Sequence, residues 1–161
     1  MRASNLRLCL NLQKLRHNTA FLTNLSEKCK SSPRSVTADE VVQAILCTQS
    51  RQLNAAGLFC RAVCDLAIKA KAPGCDVIAA AGGVSAIVQL LEWFPNDQVV
   101  TDAACGALFF MSVNCTEAVK AMLRAHPDIN TVLESASHRL RAWGEDDYAA
   151  WALKKLRVLK A

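Results

Sequence analysis

One pattern of apolar spacing, repeated along the chain, restricts what it can fold into more than any other feature. Val84, Ile87, Val88 and Leu91 fall at i, i+3, i+4 and i+7, the spacing that lines one face of a 3.6-residue helix. Val100, Ala103, Ala104, Ala107, Leu108 and Met111 line a second helix over the next turns. Pro95–Asn96–Asp97 separates the two. Pro95 biases Phe94 away from the helical basin, and Asn96 or Asp97 offers an oxygen to the free N–H groups that open the next helix. A short apolar helix with Val77 and Ile78 precedes the pair, set off by Gly82–Gly83.

Moved forward by 45 residues, the second-helix set lands on Ile129, Val132, Leu133 and Ala136, and Val77 and Ile78 land on Met122 and Leu123. The third-helix set lands on Glu145, Tyr148, Ala149, Ala152, Leu153 and Leu156. All twelve positions but Glu145 stay apolar, where a chain 52% hydrophobic would give about six by chance. Moved backward by the same interval, the third-helix set becomes Ala55, Leu58, Phe59, Ala62, Val63 and Leu66, again all apolar. The second-helix set reappears one residue further off, as Ala38, Val41, Val42 and Ile45. Units of this size bury their faces only by stacking on one another, the logic of a helical solenoid.

AAGGVSAIVQLL (80–91) followed by AACGALFFMS (103–112) resembles an armadillo repeat: a short helix, a glycine break, a second helix, then a third rich in small residues. AAWALKKL (149–156) is similar to the third helix of importin-alpha-type repeats, and AFLTNLS in the first segment resembles a third helix as well. HEAT repeats, at roughly 40–47 residues, are near neighbours; the Gly82–Gly83 break and the short first helix favour armadillo. The resemblance implies an all-α, right-handed superhelix of about three repeats (37–69, 76–113 and 117–160) plus an N-terminal partial repeat over 3–30, all one domain spanning 1–161.

Composition agrees. At 161 residues the chain is long enough for one domain with a real core. Most prolines and glycines mark the proposed breaks; Gly57 and Gly106, inside third helices, instead favour close helix contact. The longest uncharged run, Val77 to Leu91, is too short for a membrane span. The first segment carries basic residues and no acid before Glu27. Its leucines (Leu6, Leu8, Leu10, Leu12, Leu15) scatter around a helical wheel, which favours a partial repeat covering the open end over a mitochondrial targeting peptide.

No catalytic constellation is visible. The eight cysteines lack a zinc-ligand spacing; Cys60 and Cys64 share a helical face, but no second Cys/His pair accompanies them. They read as free thiols filling core and boundary positions in a reducing compartment, hence a cytoplasmic location with the nucleus as second choice. His17, His126 and His138 are far apart, and no phosphate loop, HExxH or nucleophile elbow occurs. The expectation is a protein that is not an enzyme and needs no cofactor or metal.

Function then belongs to the surface. In armadillo proteins an Asn of the third helix holds the backbone of an extended peptide, an amide being both donor and acceptor, and a Trp one turn earlier flanks it. In this chain the Asn position is occupied by Asn24, Asp65, Phe110 and Lys155, and the Trp position by Ala20, Arg61, Gly106 and Trp151. Only Asn24 and Trp151 match, so a general nuclear-localisation-signal receptor is not expected, and the row reads as mixed in charge. Phe109–Phe110 is informative because adjacent helical residues cannot enter the same core: one is exposed, meets another chain, or is shielded by a neighbouring repeat.

The resulting expectation is a protein–protein interaction module, an adaptor or assembly subunit. It binds a partner protein or peptide along a concave surface at Asn24, Arg61, Asp65, Phe109, Phe110, Trp151 and Lys155. Self-association or entry into a larger complex through the C-terminal helix, whose Leu153, Leu156 and Val158 or Leu159 would be covered by a following unit, is a further expectation. Beside it stand the alternatives that this helix turns its basic side outward as a cap or that the chain is a piece of a longer protein. The alternative is a nucleic-acid or anionic-membrane binder using Lys154, Lys155, Arg157 and Lys160 in a chain of net charge +5.

Overall fold

The computed structural model describes residues 3–115, 123 and 126–158; in the first helix, side chains are described from Gln13 onward, Leu15 excepted. Eight α-helices and one 3-10 turn account for most of these residues, and there is no strand among them. The helices are α1 (Ala3–Ser31), α2 (Ala38–Thr48), α3 (Leu53–Lys69), α4 (Ala72–Ala80), α5 (Gly83–Trp93), α6 (Gln98–Asn114), α7 (Ile129–Trp143) and α8 (Tyr148–Val158), with the 3-10 turn at Pro33–Ser35. The chain is all-α.

Local chemistry sets the boundaries. Thr37 and Glu40 form a capping box at the start of α2, and the Glu40 carboxylate also accepts from Lys28 Nζ at 2.7 and 2.9 Å, tying α1 to α2. Asp97, rather than Asn96, caps α6: its Oδ1 accepts the Val100 N–H at 2.8 Å. Gly82 turns the chain between α4 and α5 with φ of 77°, a left-handed conformation that glycine adopts without the penalty of a side chain.

Packing follows two rows. α1, α3, α6 and α8 lie side by side, each against the next, while α5 touches both α2 and α7 behind them. Gly57 and Gly106 are buried where α3 and α6 meet; a Cβ on Gly106 would stand 3.2 Å from Cys64 Sγ. Phe59, Ile87, Leu91, Leu108, Leu133 and Leu140 are fully buried in one continuous core.

The expected apolar face of α2 needs correction. Val41 is buried, but Val42 is 38% exposed and Ile45 and Ala38 are only partly covered; Ala44, Cys47 and Thr48 complete the inward face. The helix is rotated by about one residue from the expected register, because Val41, Ala44 and Thr48 also satisfy i, i+3, i+7. Met122, Leu159 and Lys160 lie outside the described residues, as do the side chains of Leu6 to Leu12 and Leu15. No single described helix is long and apolar enough to cross a membrane; α4 and α5 together have the composition but are bent by 75° at their junction.

Candidate functional site

Side chains facing forward from α1, α3, α6 and the approach to α8 enclose an open groove of about 500 Å3. Positions 45 residues apart share its wall: Leu58, Ala103 and Tyr148 line it, as do Arg61 with Gly106 and Asp65 with Phe110. A side pocket formed by Leu53, Asn54, Gly57 and Asp97 extends the groove past Val99. Ile68 and Val99, 38% and 43% exposed, give the floor an apolar character.

Asp147 fixes the far wall. Its Oδ1 caps α8 by accepting the Ala150 N–H at 2.9 Å, and its Oδ2 accepts the Ser137 hydroxyl at 2.8 Å and pairs with Arg141 at 3.1 Å. This anchor on α7 sets where Tyr148 and Trp151 emerge. They meet Phe109 and Phe110 in an aromatic cluster. Phe109 lies 5.1 Å from Phe110 and 5.6 Å from Trp151, and Tyr148 packs edge-on to Trp151 at 5.2 Å. These separations are those of favourable aromatic pairs. Phe109 and Phe110 are both half-buried, shielded by α8, while Trp151 stays 44% exposed.

The groove's charge is its second property. Four carboxylates line it, each from a different element: Glu27, Asp65, Asp102 and Glu145, against two cations, Lys30 and Arg61. Lys30 is already engaged by Glu27 at 3.0 Å, and Gln98 Nε2 donates to Glu145. Four negative charges less two positive leave the groove at −2 in a chain of +5. The crowding is felt at Asp102. Burial first, then the nearby Glu145 and Asp146 carboxylates, raise its pKa, with Arg61 opposing. Burial, Asp146 and Asp102 likewise raise the Tyr148 hydroxyl.

Of the residues singled out from sequence, Arg61, Asp65 and Phe110 line the groove, and Phe109 and Trp151 join Tyr148 in the aromatic wall. Asn24 and Lys155 are exposed and contribute to neither. The Asn/Trp row itself is mixed in charge, while the groove lining as a whole is net acidic, because Glu27, Asp102 and Glu145 lie outside that register. The apolar pattern puts Tyr148 and Leu58 on buried faces; both do pack against the core, but each stays partly open to the groove. The signal for that opening was size: Leu58, Ala103 and Tyr148 occupy one equivalent position, and a pocket fitted to alanine has no room for a tyrosine ring.

Among the described residues, burial disfavours the thiolate of several cysteines. Burial first, helped by neighbouring carboxylates, pushes Cys29, Cys64 and Cys105 up to about 12. Cys75 is lowered instead, through a hydrogen bond with Cys115, yet both are buried away from the groove. Among the described residues no three His, Cys, Asp or Glu side chains converge as a metal site.

No protein-family model matches the chain, and neither a curated protein nor a solved structure does.

Proposed function

We propose that this chain is an armadillo-like superhelix of about three repeats with a partial N-terminal one, and that it is a non-catalytic protein-binding module. As an adaptor or assembly subunit it holds a partner polypeptide in the groove across α1, α3, α6 and α8. The observation that carries this reading is the register of the wall: residues one module apart, Leu58, Ala103 and Tyr148, face the same open groove. Stacked modules generate such an extended binding surface as a consequence of their repetition.

The aromatic wall supplies the affinity. Tyr and Trp bury much area while losing little side-chain freedom, and they are enriched among the residues that carry binding energy. With no ladder of Asn side chains in the groove among the described residues, recognition falls on the partner's side chains rather than its backbone. Free thiols suit a reducing compartment, which favours the cytoplasm. Of the α8 side chains expected to lie uncovered, Leu153 and Leu156 are buried, so a second contact through α8 would rest on Val158, which is 68% exposed.

The test is capture of partners from native lysate by the intact chain and by Phe110→Ala and Trp151→Ala. Both variants are expected to keep a cooperative thermal transition and to lose the captured polypeptides. Recovery of the same polypeptides by both variants would place the partner site elsewhere.

A further inference from the structure

The groove carries charge of one sign in a chain that carries the other. Its carboxylates are spread one per element over α1, α3, α6 and the turn before α8, so the negative field runs along the groove rather than sitting at one point. Among the described residues, Lys30–Glu27 is the one ion pair within the lining, which leaves Arg61 as the remaining lining cation against Asp65, Asp102 and Glu145. Apolar surface is interleaved with them: Leu58, Ile68, Val99 and Phe110. A polypeptide that fits must bring cations to the carboxylates and apolar side chains to the floor. An acidic segment would add like charge to a site already crowded with it, and a neutral one would leave the field unused.

From this complementarity we infer that the groove's occupant is a cationic polypeptide segment in which Lys or Arg residues alternate with apolar side chains. The inference rests on the reading of the groove as a protein-binding site and adds the partner's chemistry. Arg61 is the groove's internal brake on such a ligand: it offsets part of the carboxylate field and repels an incoming cation.

The experiment measures the affinity of the full chain for three synthetic peptides of equal length, Lys/Leu, Gln/Leu and Glu/Leu, by fluorescence anisotropy. The Lys/Leu peptide is expected to bind tightest, with affinity falling as salt rises from about 0.05 M to about 0.5 M. Asp102→Asn combined with Glu145→Gln is expected to weaken it roughly tenfold, a few-fold for each partly exposed charge. Arg61→Gln is expected to tighten it by about threefold, the reverse of what a damaged fold would give. Circular dichroism melting checks that each variant is folded. Equal or tighter binding of the Gln/Leu or Glu/Leu peptide, sensitive to Phe110→Ala, overturns the charge assignment and leaves the groove as a binding site. Binding of no peptide, or binding indifferent to Phe110→Ala, overturns both.

Discussion

Helices α5 and α6 follow one another in the chain yet bury different chemistry. α5 presents Val84, Ile87, Val88, Leu90 and Leu91 to the core and keeps Ser85, Gln89 and Glu92 exposed. It is a two-faced helix at the back of the stack. α6 is covered over an unbroken run from Ala103 to Leu108, five of whose six residues are small (Ala103, Ala104, Cys105, Gly106, Ala107). It is wedged between α3 and α8 with α5 behind it. Stacking forces this division. A helix with neighbours on both flanks needs small residues so that the axes approach, and it spends its larger side chains where its neighbours leave space, at Phe109 and Phe110. The proposed site gathers on the row that packing strips of bulk.

The largest effect separates filling from crowding. Phe59→Ala, emptying a fully buried site on α3, is expected to cost about 3–5 kcal/mol, and Leu91→Ala on α5 about 2–5 kcal/mol, read by urea denaturation. Both rows suffer from lost volume. Added volume separates crowded sites from open ones: Ala104→Leu on α6 is expected to cost about 1–3 kcal/mol, whereas Ala142→Leu on the exposed side of α7 stays within about 0.5 kcal/mol. A neutral Ala104→Leu would dissolve the contrast between the rows.

Smaller effects sharpen it. Asp97→Ala removes the cap of α6 and is expected to lower stability by about 1 kcal/mol without touching the aromatic wall, again by urea denaturation. The pH response of stability has opposite signs at two carboxylates. Glu40, below its ordinary value because hydrogen bonds from Lys28 and Thr37 outweigh the opposing effect of burial, adds stability above about pH 4.5 that is lost on acidification. Asp102 has a raised pKa, so the folded state holds its proton longer than the unfolded chain. Its contribution is most favourable in acid and declines as pH climbs from 3.8 through the folded value. Thermal melts of Asp102→Asn are therefore expected to show a gentler decline above pH 4 than the parent, and those of Glu40→Gln a weaker loss in acid.

The helical architecture could be read from the chain because apolar periodicity and breaker residues act locally: Pro95 and Gly82 end and turn helices whatever surrounds them. The equivalence of Leu58, Ala103 and Tyr148 was visible too, as a spacing. What could not be read was which side of a position faces the open groove. The turn of α2 by one residue, and the partial exposure of Tyr148 to the groove, depend on the neighbouring helices rather than on the helix that carries them. The acidity of the groove was hidden for the same reason, since Glu27, Asp65, Asp102 and Glu145 are scattered in sequence and converge only when α1, α3 and α6 lie side by side. Asn24 shows the converse: its residue type matched the family pattern, but its place on α1 leaves it outside the groove.

The most direct test of the division between the two rows is to map the amide signals of the chain by NMR while the Lys/Leu peptide is titrated in. Perturbations confined to α1, α3, α6 and the start of α8, centred on Arg61, Asp102, Gly106 and Tyr148, are the predicted result. Perturbations centred on α2, α5 and α7, with the groove helices silent, would contradict it.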